Sequence, residues 1–407
     1  MTATTPRTVD SPYAWIRLGL AVLLSTIGGV GMWSVVVVLP AVEAEFGAAR
    51  AGASLPYSFT MVGFAFGGVL MGRLADRFGV AVPVALGAVA LGLGYAVSAL
   101  AGSVWTFALV HGILIGFLGS SASFSPLLAD ISHWFERRRG IAVAICASGN
   151  YLAGTVWPPL VQRSVEAVGW RQTHVGIGLF CFVTMLPLAW LLRHRIASGT
   201  TSARGAVFAP ARSVTGLSPR GLQAILVVAG LACCVAMSMP QVHIVAYCGD
   251  LGYGVARGAE MLSLMLACGI VSRIASGCIA DQIGALATLL LGSVLQGVAL
   301  FLYLWFDGLT SLYVISALFG LFQGGIVPSY ALIVREYFPA GEAGTRVGIV
   351  IMATLFGMAL GGWMSGLIFD LTGSYRAAFA NGLLWNLLNV SLAVWLLQRS
   401  TRRMAPA

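Results

Sequence analysis

The sequence predicts an all-α membrane protein of twelve transmembrane helices in two six-helix, pseudo-symmetric halves. Three observations carry this. The 407-residue chain is 58% hydrophobic and only 9% charged, whereas soluble domains carry about 25% charged residues. It contains twelve apolar runs long enough to span a bilayer, which takes about 20 residues in a helix. An eight-residue stretch, Gly72–Gly79 (GRLADRFG), returns 205 residues later as Gly277–Gly284 (GCIADQIG).

Residues 1–14 are polar, rich in Thr and Pro, and read as an N-terminal tail. Helices are expected at about 15–40, 53–72, 80–100, 105–129, 140–162 and 172–192, making an N-terminal bundle over 15–192. Residues 193–220, rich in Arg, Ser, Thr and Gly, form a linker. Helices at about 221–248, 259–277, 286–305, 311–334, 345–368 and 377–398 make a C-terminal bundle over 221–398, followed by a tail at 399–407. The first apolar run is too long for a signal peptide and no small-residue cleavage site follows it. The seven Cys show no CxxC spacing, so neither a disulfide framework nor a zinc site is indicated. No cofactor or metal is expected.

All 23 basic residues are Arg, and the net charge is +9. With both termini in the cytoplasm, seventeen Arg fall inside and five outside (Arg50, Arg163, Arg171, Arg257, Arg376), and Arg273 is left within the membrane. That asymmetry sets the orientation and explains the net charge without a nucleic-acid partner. No basic stripe with interleaved aromatics argues otherwise. The expectation is a monomeric, multi-pass protein of the cytoplasmic membrane, with lipid around it.

The repeated stretches fall between helices 2 and 3 and between helices 8 and 9. A weaker echo lies between helices 4 and 5, from Trp134 and Phe135 through Arg137, Arg138 and Arg139 to Gly140; its partner is Tyr337 and Phe338 with Arg346 and Gly348 beyond. Two parallel six-helix repeats are a transporter signature. GRLADRFG resembles the loop motif of the major facilitator superfamily, G-x-L-A-D-R-x-G, and the resemblance covers the whole chain. It implies the major facilitator fold. It also implies a conformational charge latch built on Gly72, Arg73, Asp76, Arg77 and Gly79, with Asp281 in the second copy, where Gln282 replaces the Arg. Asp76 is expected to cap or pair at the turn.

Trp134–Leu160 (WFERRRGIAVAICASGNYLAGTVWPPL) is similar to the monocarboxylate porter and oxalate/formate antiporter branches, as are Gly28, Gly29, Gly31, Trp33, Ser34 and Pro40 of the first helix. This resemblance implies small organic monocarboxylate substrates and a helix 8 Arg that contacts their carboxylate; Arg273 matches by position. Gly269 stands where some relatives carry an acid one turn earlier, and helix 1 lacks a Lys. The relatives' proton scheme therefore does not transfer, and proton symport and anion exchange both stay open.

The residues support this on their own terms. A charge deep in a spanning helix costs roughly 2.5–3.5 kcal/mol on insertion scales, so Arg273 needs a reason to be there. Its planar fork fits a carboxylate with two hydrogen bonds. Gly269, Ser276 and Gly277 share its face, leaving room for a ligand or a neighbouring helix. His243 on helix 7 can relay a proton or bind substrate, since imidazole titrates near neutral pH, or can simply bond a backbone carbonyl. His111 on helix 4 is the matching proton-coupling candidate in the other half. Asn150 and Gln323, mid-helix amides, either line a cavity or join helices; Ser123, like Ser121, is a weaker candidate, since Ser often only bonds its own backbone. Trp33 and Tyr330 are candidate walls, although aromatics in such helices are more often packing. Asp130, Asp250 and Glu336, at helix ends, read as solvated or capping acids, and Asn386 and Asn389 as packing. No nucleotide loop, metal cluster or nucleophile–base set is present, so no enzyme is expected. The function predicted is secondary transport of lactate-like monocarboxylates by alternating access. An exporter of hydrophobic or drug-like compounds and a non-transporting carboxylate sensor are the alternatives.

Overall fold

A computed structural model describes residues 9–194 and 217–404. The first eight residues of the N-terminal tail, residues 195–216 of the linker and residues 405–407 lie outside the described residues. Among the described residues the chain is helical, with no strand, and twelve helices are long and apolar enough to cross a membrane. They are α1 (Pro12–Phe46), α2 (Arg50–Phe78), α3 (Ala81–Ser98), α4 (Val104–Trp134), α5 (Arg139–Val168), α6 (Trp170–Leu191), α7 (Pro219–Asp250), α8 (Val255–Ile283), α9 (Ala285–Trp305), α10 (Leu309–Tyr337), α11 (Glu342–Thr372) and α12 (Tyr375–Ser400). In hydrocarbon a backbone can satisfy its polar groups only internally, which makes the helix the available solution for such runs. Both predicted tails are shorter than expected: helix begins at Pro12 and the last helix continues to Met404.

Local chemistry sets the ends. Pro12 and Pro219 occupy the first turns of α1 and α7, and Ser218 caps α7 by accepting from Gly221 N–H at 3.1 Å. Ser103 and Thr106 form a reciprocal capping box at the start of α4, the arrangement that satisfies two otherwise orphaned N–H groups. The repeated motif closes on a glycine each time for a backbone reason. Gly79 has φ +84° and Gly284 has φ +85°, a region L side chains rarely enter. Their N–H groups return to Ala75 O at 2.7 Å and Ala280 O at 2.9 Å.

The helices fall into two compact units, one of Met1–Val38 and Phe59–Thr201, the other of Leu39–Ser58 and Ser202–Ala407. The corner where α1 turns into α2 thus belongs to the second unit. The internal packing of the units corresponds. In the first, α1 packs on α5 and α3 on α4 and α6; in the second, α7 packs on α11 and α9 on α10 and α12. The closest crossings also correspond. A Cβ on Gly116 of α4 would stand 2.5 Å from Thr60 O of α2, and a Cβ on Gly320 of α10 would stand 2.7 Å from Met265 C of α8. Only glycine permits backbones this near each other.

Three helices are interrupted. A bend at Gly29 divides α1 into Pro12–Gly28 and Val30–Phe46. In α4 a π-helical stretch, His111–Gly119, is followed by a 3₁₀ turn, Ser120–Ser123. In α10 the break is at Gly324 and Gly325, between Leu309–Gln323 and Ile326–Tyr337. The 205-residue offset carries Gly119 onto Gly324, so α4 and α10 break at equivalent places. Broken backbone at membrane depth survives where protein buries it or where it lines a cavity, and transporters bind substrate at such points.

Candidate functional site

The break in α10 faces α8. The Ser272 hydroxyl of α8 accepts from Gly325 N–H at 3.2 Å, a Cβ on Gly324 would stand 2.9 Å from Ser272 Cβ, and one on Gly325 would clash with the Ser276 side chain. The small face of α8, including Gly269 and Ser276, therefore serves a neighbouring helix. Gly277 differs: nothing lies within 4 Å of its Cβ position. Arg273 sits beside this seam, half-buried, between buried Ser272 and exposed Ile274. Gln323, fully buried, precedes the break at the same level.

His243 does not join Arg273. Val245 lies against Gly258, and Cys248 Sγ is 3.4 Å from Met261 Sδ. This places His243 level with the start of α8, about ten residues or ~15 Å along the axis from Arg273. The two side chains therefore lie apart along the second unit. Tyr330 is also engaged elsewhere: its hydroxyl donates to Asn389 Oδ1 at 2.7 Å, and Asn389 Nδ2 donates to Ser293 Oγ at 2.8 Å. Asn386 Nδ2 donates to Ser293 O at 3.0 Å. This network joins α9, α10 and α12, and it engages the Tyr330 hydroxyl in packing.

In the first unit three expected residues surround the breaks of α1 and α4. Trp33 Nε1–H donates to Asn150 O at 3.1 Å, joining α1 to α5. Among the described residues Asn150 Oδ1 is buried without a hydrogen-bond partner, 3.3 Å from the Cβ position of Gly29. Ser123 packs against Gly28 and donates to Ser120 O at 2.8 Å, while Ser120 Oγ donates to Gly28 O at 2.9 Å. His111 lies apart from them. Its Nδ1–H donates to Phe107 O at 3.0 Å, and its ring is 5.7 Å from His174 and 4.2 Å from Phe107.

Arg73, Asp76, Arg77 and Asp281 are exposed. Asp76 was expected to cap or pair at the turn, and it does neither: α3 has no side-chain cap, and Asp76 makes no hydrogen bond or ion pair among the described residues. Gly79 closes the turn instead.

Two charge clusters escaped the sequence reading. In the first unit Arg17, 1% exposed, meets Asp130 with Nε at 2.6 Å and a second nitrogen at 2.8 Å, donates to Leu192 O at 3.0 Å, and lies 4.7 Å from the Trp134 ring. Asp130 is thus an ion-pair partner, not a solvated helix end. In the second unit Arg50, 7% exposed, is ringed by acids. Its Nε is 2.8 Å from Glu43, and its two terminal nitrogens donate to Asp250 at 3.1 and 3.2 Å. The backbone N–H groups of Arg50 and Ala51 donate to the two oxygens of Asp370, both at 2.8 Å, a carboxylate on a helix N-terminus. The partners are 200 and 320 residues apart in sequence, so only the fold brings them together.

Twelve spans in corresponding six-helix sets, broken at equivalent points, define a polytopic membrane transporter. Residues 21–311 and 261–406 match the family profile described as Major Facilitator Superfamily. The chain belongs to that superfamily, whose members are transporters, not enzymes. It is 30% identical to Monocarboxylate transporter 13 of Bos taurus over 322 residues, covering 77% of this chain and 73% of that one. It is 28% identical to Monocarboxylate transporter 11 of Homo sapiens, covering 75% and 66%. Among solved structures, the nucleoside transporter NupG aligns with a TM-score of 0.69 at 14% identity over 96% of this chain and 99% of that one. A bacterial homolog of the human lysosomal transporter Spinster aligns at 0.66, with 14% identity and 97% of each chain. These last two likenesses concern the fold alone.

Proposed function

We propose that this transporter carries small, lactate-like monocarboxylates across the cytoplasmic membrane by alternating access, with both termini in the cytoplasm. The observation that carries the reading is Arg273, a guanidinium held half-buried within a 29-residue apolar helix. An anion that accepts two hydrogen bonds offsets the dehydration of that fork better than a neutral or cationic compound does. The similarity to two monocarboxylate transporters supports the same class. Gln323, level with Arg273, is assigned to substrate handling in the second unit, and Trp33, Asn150 and Ser123 in the first. The loop Gly72–Gly79 and Asp281 are assigned to the conformational latch. The working form is a monomer.

Moving an anion inward against the membrane potential costs ~2.3 kcal/mol per 100 mV. Symport with a proton removes that cost, and exchange for another anion does as well. A thermal-shift screen of small carboxylates on purified protein tests the substrate class, because a ligand that binds only the native state raises its apparent stability. Lactate or a close homologue is expected to raise the melting temperature of the parent and leave Arg273→Ala unmoved. A shift of equal size in that variant contradicts the assignment.

A further inference from the structure

The Arg50 cluster continues inward through one chain of hydrogen bonds. Arg50 also reaches the Tyr375 hydroxyl at 2.6 Å; that hydroxyl lies 3.2 Å from His243 Nδ1, and His243 Nε2 lies 2.8 Å from Gly362 O. The directions follow from what each group can do. A guanidinium only donates and a carbonyl only accepts. Arg50 therefore donates to the Tyr375 oxygen, Tyr375 turns its single proton to His243 Nδ1, and His243 Nε2–H donates to Gly362 O. Every group is satisfied with His243 neutral, and in this tautomer only.

A proton added at Nδ1 turns that acceptor into a donor. Tyr375 then faces two donors and loses the acceptor for its own proton, and an imidazolium stands behind a guanidinium. His243 is completely buried, so water does not relieve either conflict. Withdrawal of Arg50 from Tyr375 relieves the repulsion between the two cations and leaves the Tyr375 oxygen a single donor to accept from. Arg50 can do so without losing its counter-charge, because the carboxylate of Glu43, on its own side of the corner, lies 2.8 Å from its Nε.

We propose that His243 is the proton sensor of a clasp: protonation of its Nδ1 releases Arg50 from Tyr375 and Asp250 and frees the α1–α2 corner from the ends of α7 and α12, while Asp370 of α11 keeps the backbone N–H groups of Arg50 and Ala51. The clasp closes again when the proton leaves. The corner matters because Leu39–Ser58 belongs with the second unit while the remainder of α1 and α2 belongs with the first. Two helices thus cross from one unit to the other through the clasped segment. The groups facing His243 are Tyr375 from α12, Arg50 with Glu43 from the corner, Asp370 from α11, and Tyr247 and Asp250 from its own helix. Asp250 is 38% exposed at its side chain, which gives the cluster a route to solvent. The inference rests on the proton-coupled form of the transport reading and gives His243 a gating role, away from the carboxylate.

Hydrogen–deuterium exchange of the full-length protein in lipid nanodiscs, without substrate, reads the clasp directly. After correction for the intrinsic pH dependence of exchange, protection of residues 39–58 in the parent is expected to fall by about tenfold on acidification from about pH 7.5 to 5.5, as uptake of one proton on opening requires. His243→Gln keeps a donor for Gly362 and an acceptor for Tyr375 but does not titrate, and it should hold its protection across that range. Tyr375→Phe severs the chain in a second way, and its residual protection should not respond to pH. An unresponsive parent overturns the proposal, and so does a His243→Gln or Tyr375→Phe variant that responds as the parent does, which would assign the effect to the acids. Because no carboxylate ligand is present, these outcomes are separate from those of the thermal-shift screen at Arg273.

Discussion

In the proposed reading Arg273 meets a carboxylate through its planar fork, and the fork matters more than the charge. Arg273→Lys keeps a cation but offers a point donor. Losing one charge-assisted bond costs about 1.5 kcal/mol or more, so transport by the Lys variant is expected to fall about tenfold, with Arg273→Ala lower still; initial rates of uptake into liposomes check this. Arg17 serves stability instead. Asp130→Asn leaves its guanidinium buried opposite a neutral amide, and breaking a buried pair costs roughly 3–5 kcal/mol. A clear drop in melting temperature in detergent is expected, and an unchanged one contradicts the pairing. Arg273 was legible from sequence because one charge interrupts an otherwise apolar run. Arg17 and Arg50 were not, since each lies near a helix end, where a charge ordinarily meets water or headgroups. Apart from Glu43, their acids lie 113 to 320 residues away, and only packing shows that these Arg are covered.

At the scale of the helix, glycine has two distinct jobs in α8 and α10. Gly320 lets α10 touch the backbone of Met265, and Gly320→Ala is expected to cost about 1–3 kcal/mol through overpacking. Gly277 meets nothing, and Gly277→Ala is expected to stabilise by about 0.5–1 kcal/mol through helix propensity alone. Melting temperatures of the two variants should move in opposite directions; a shared direction contradicts the reading of α8's two sides. The spans themselves were readable from hydropathy, and the repeat from GRLADRFG and GCIADQIG. The interruptions were not. Gly28–Gly29, Ser120–Ser123 and Gly324–Gly325 resemble the many other small residues of these helices, and a break depends on which helix lies opposite. Tyr330 shows the same limit: aromatic chemistry suits a substrate wall and packing alike, and only the fold shows its hydroxyl engaged by Asn389 on α12.

For the whole molecule, the repeat explains why function-bearing residues recur at matched positions while their roles diverge. Ser123 of α4 and Gln323 of α10 flank equivalent helix breaks, yet Arg273 has no charged counterpart at the corresponding place in α2: 205 residues earlier stands Gly68. The clasp proposed around Arg50 and His243 adds a place where acidity acts on the corner that joins α1 to α2. The most direct measurement is uptake of radiolabelled lactate by the purified protein in liposomes, driven by an inward proton gradient or by trapped lactate, with Arg273→Ala beside the parent. Accumulation in the parent under at least one driving force, and none in the variant, is the expected result. Equal uptake by both proteins, or no uptake by a parent whose melting temperature lactate also leaves unmoved, contradicts the account.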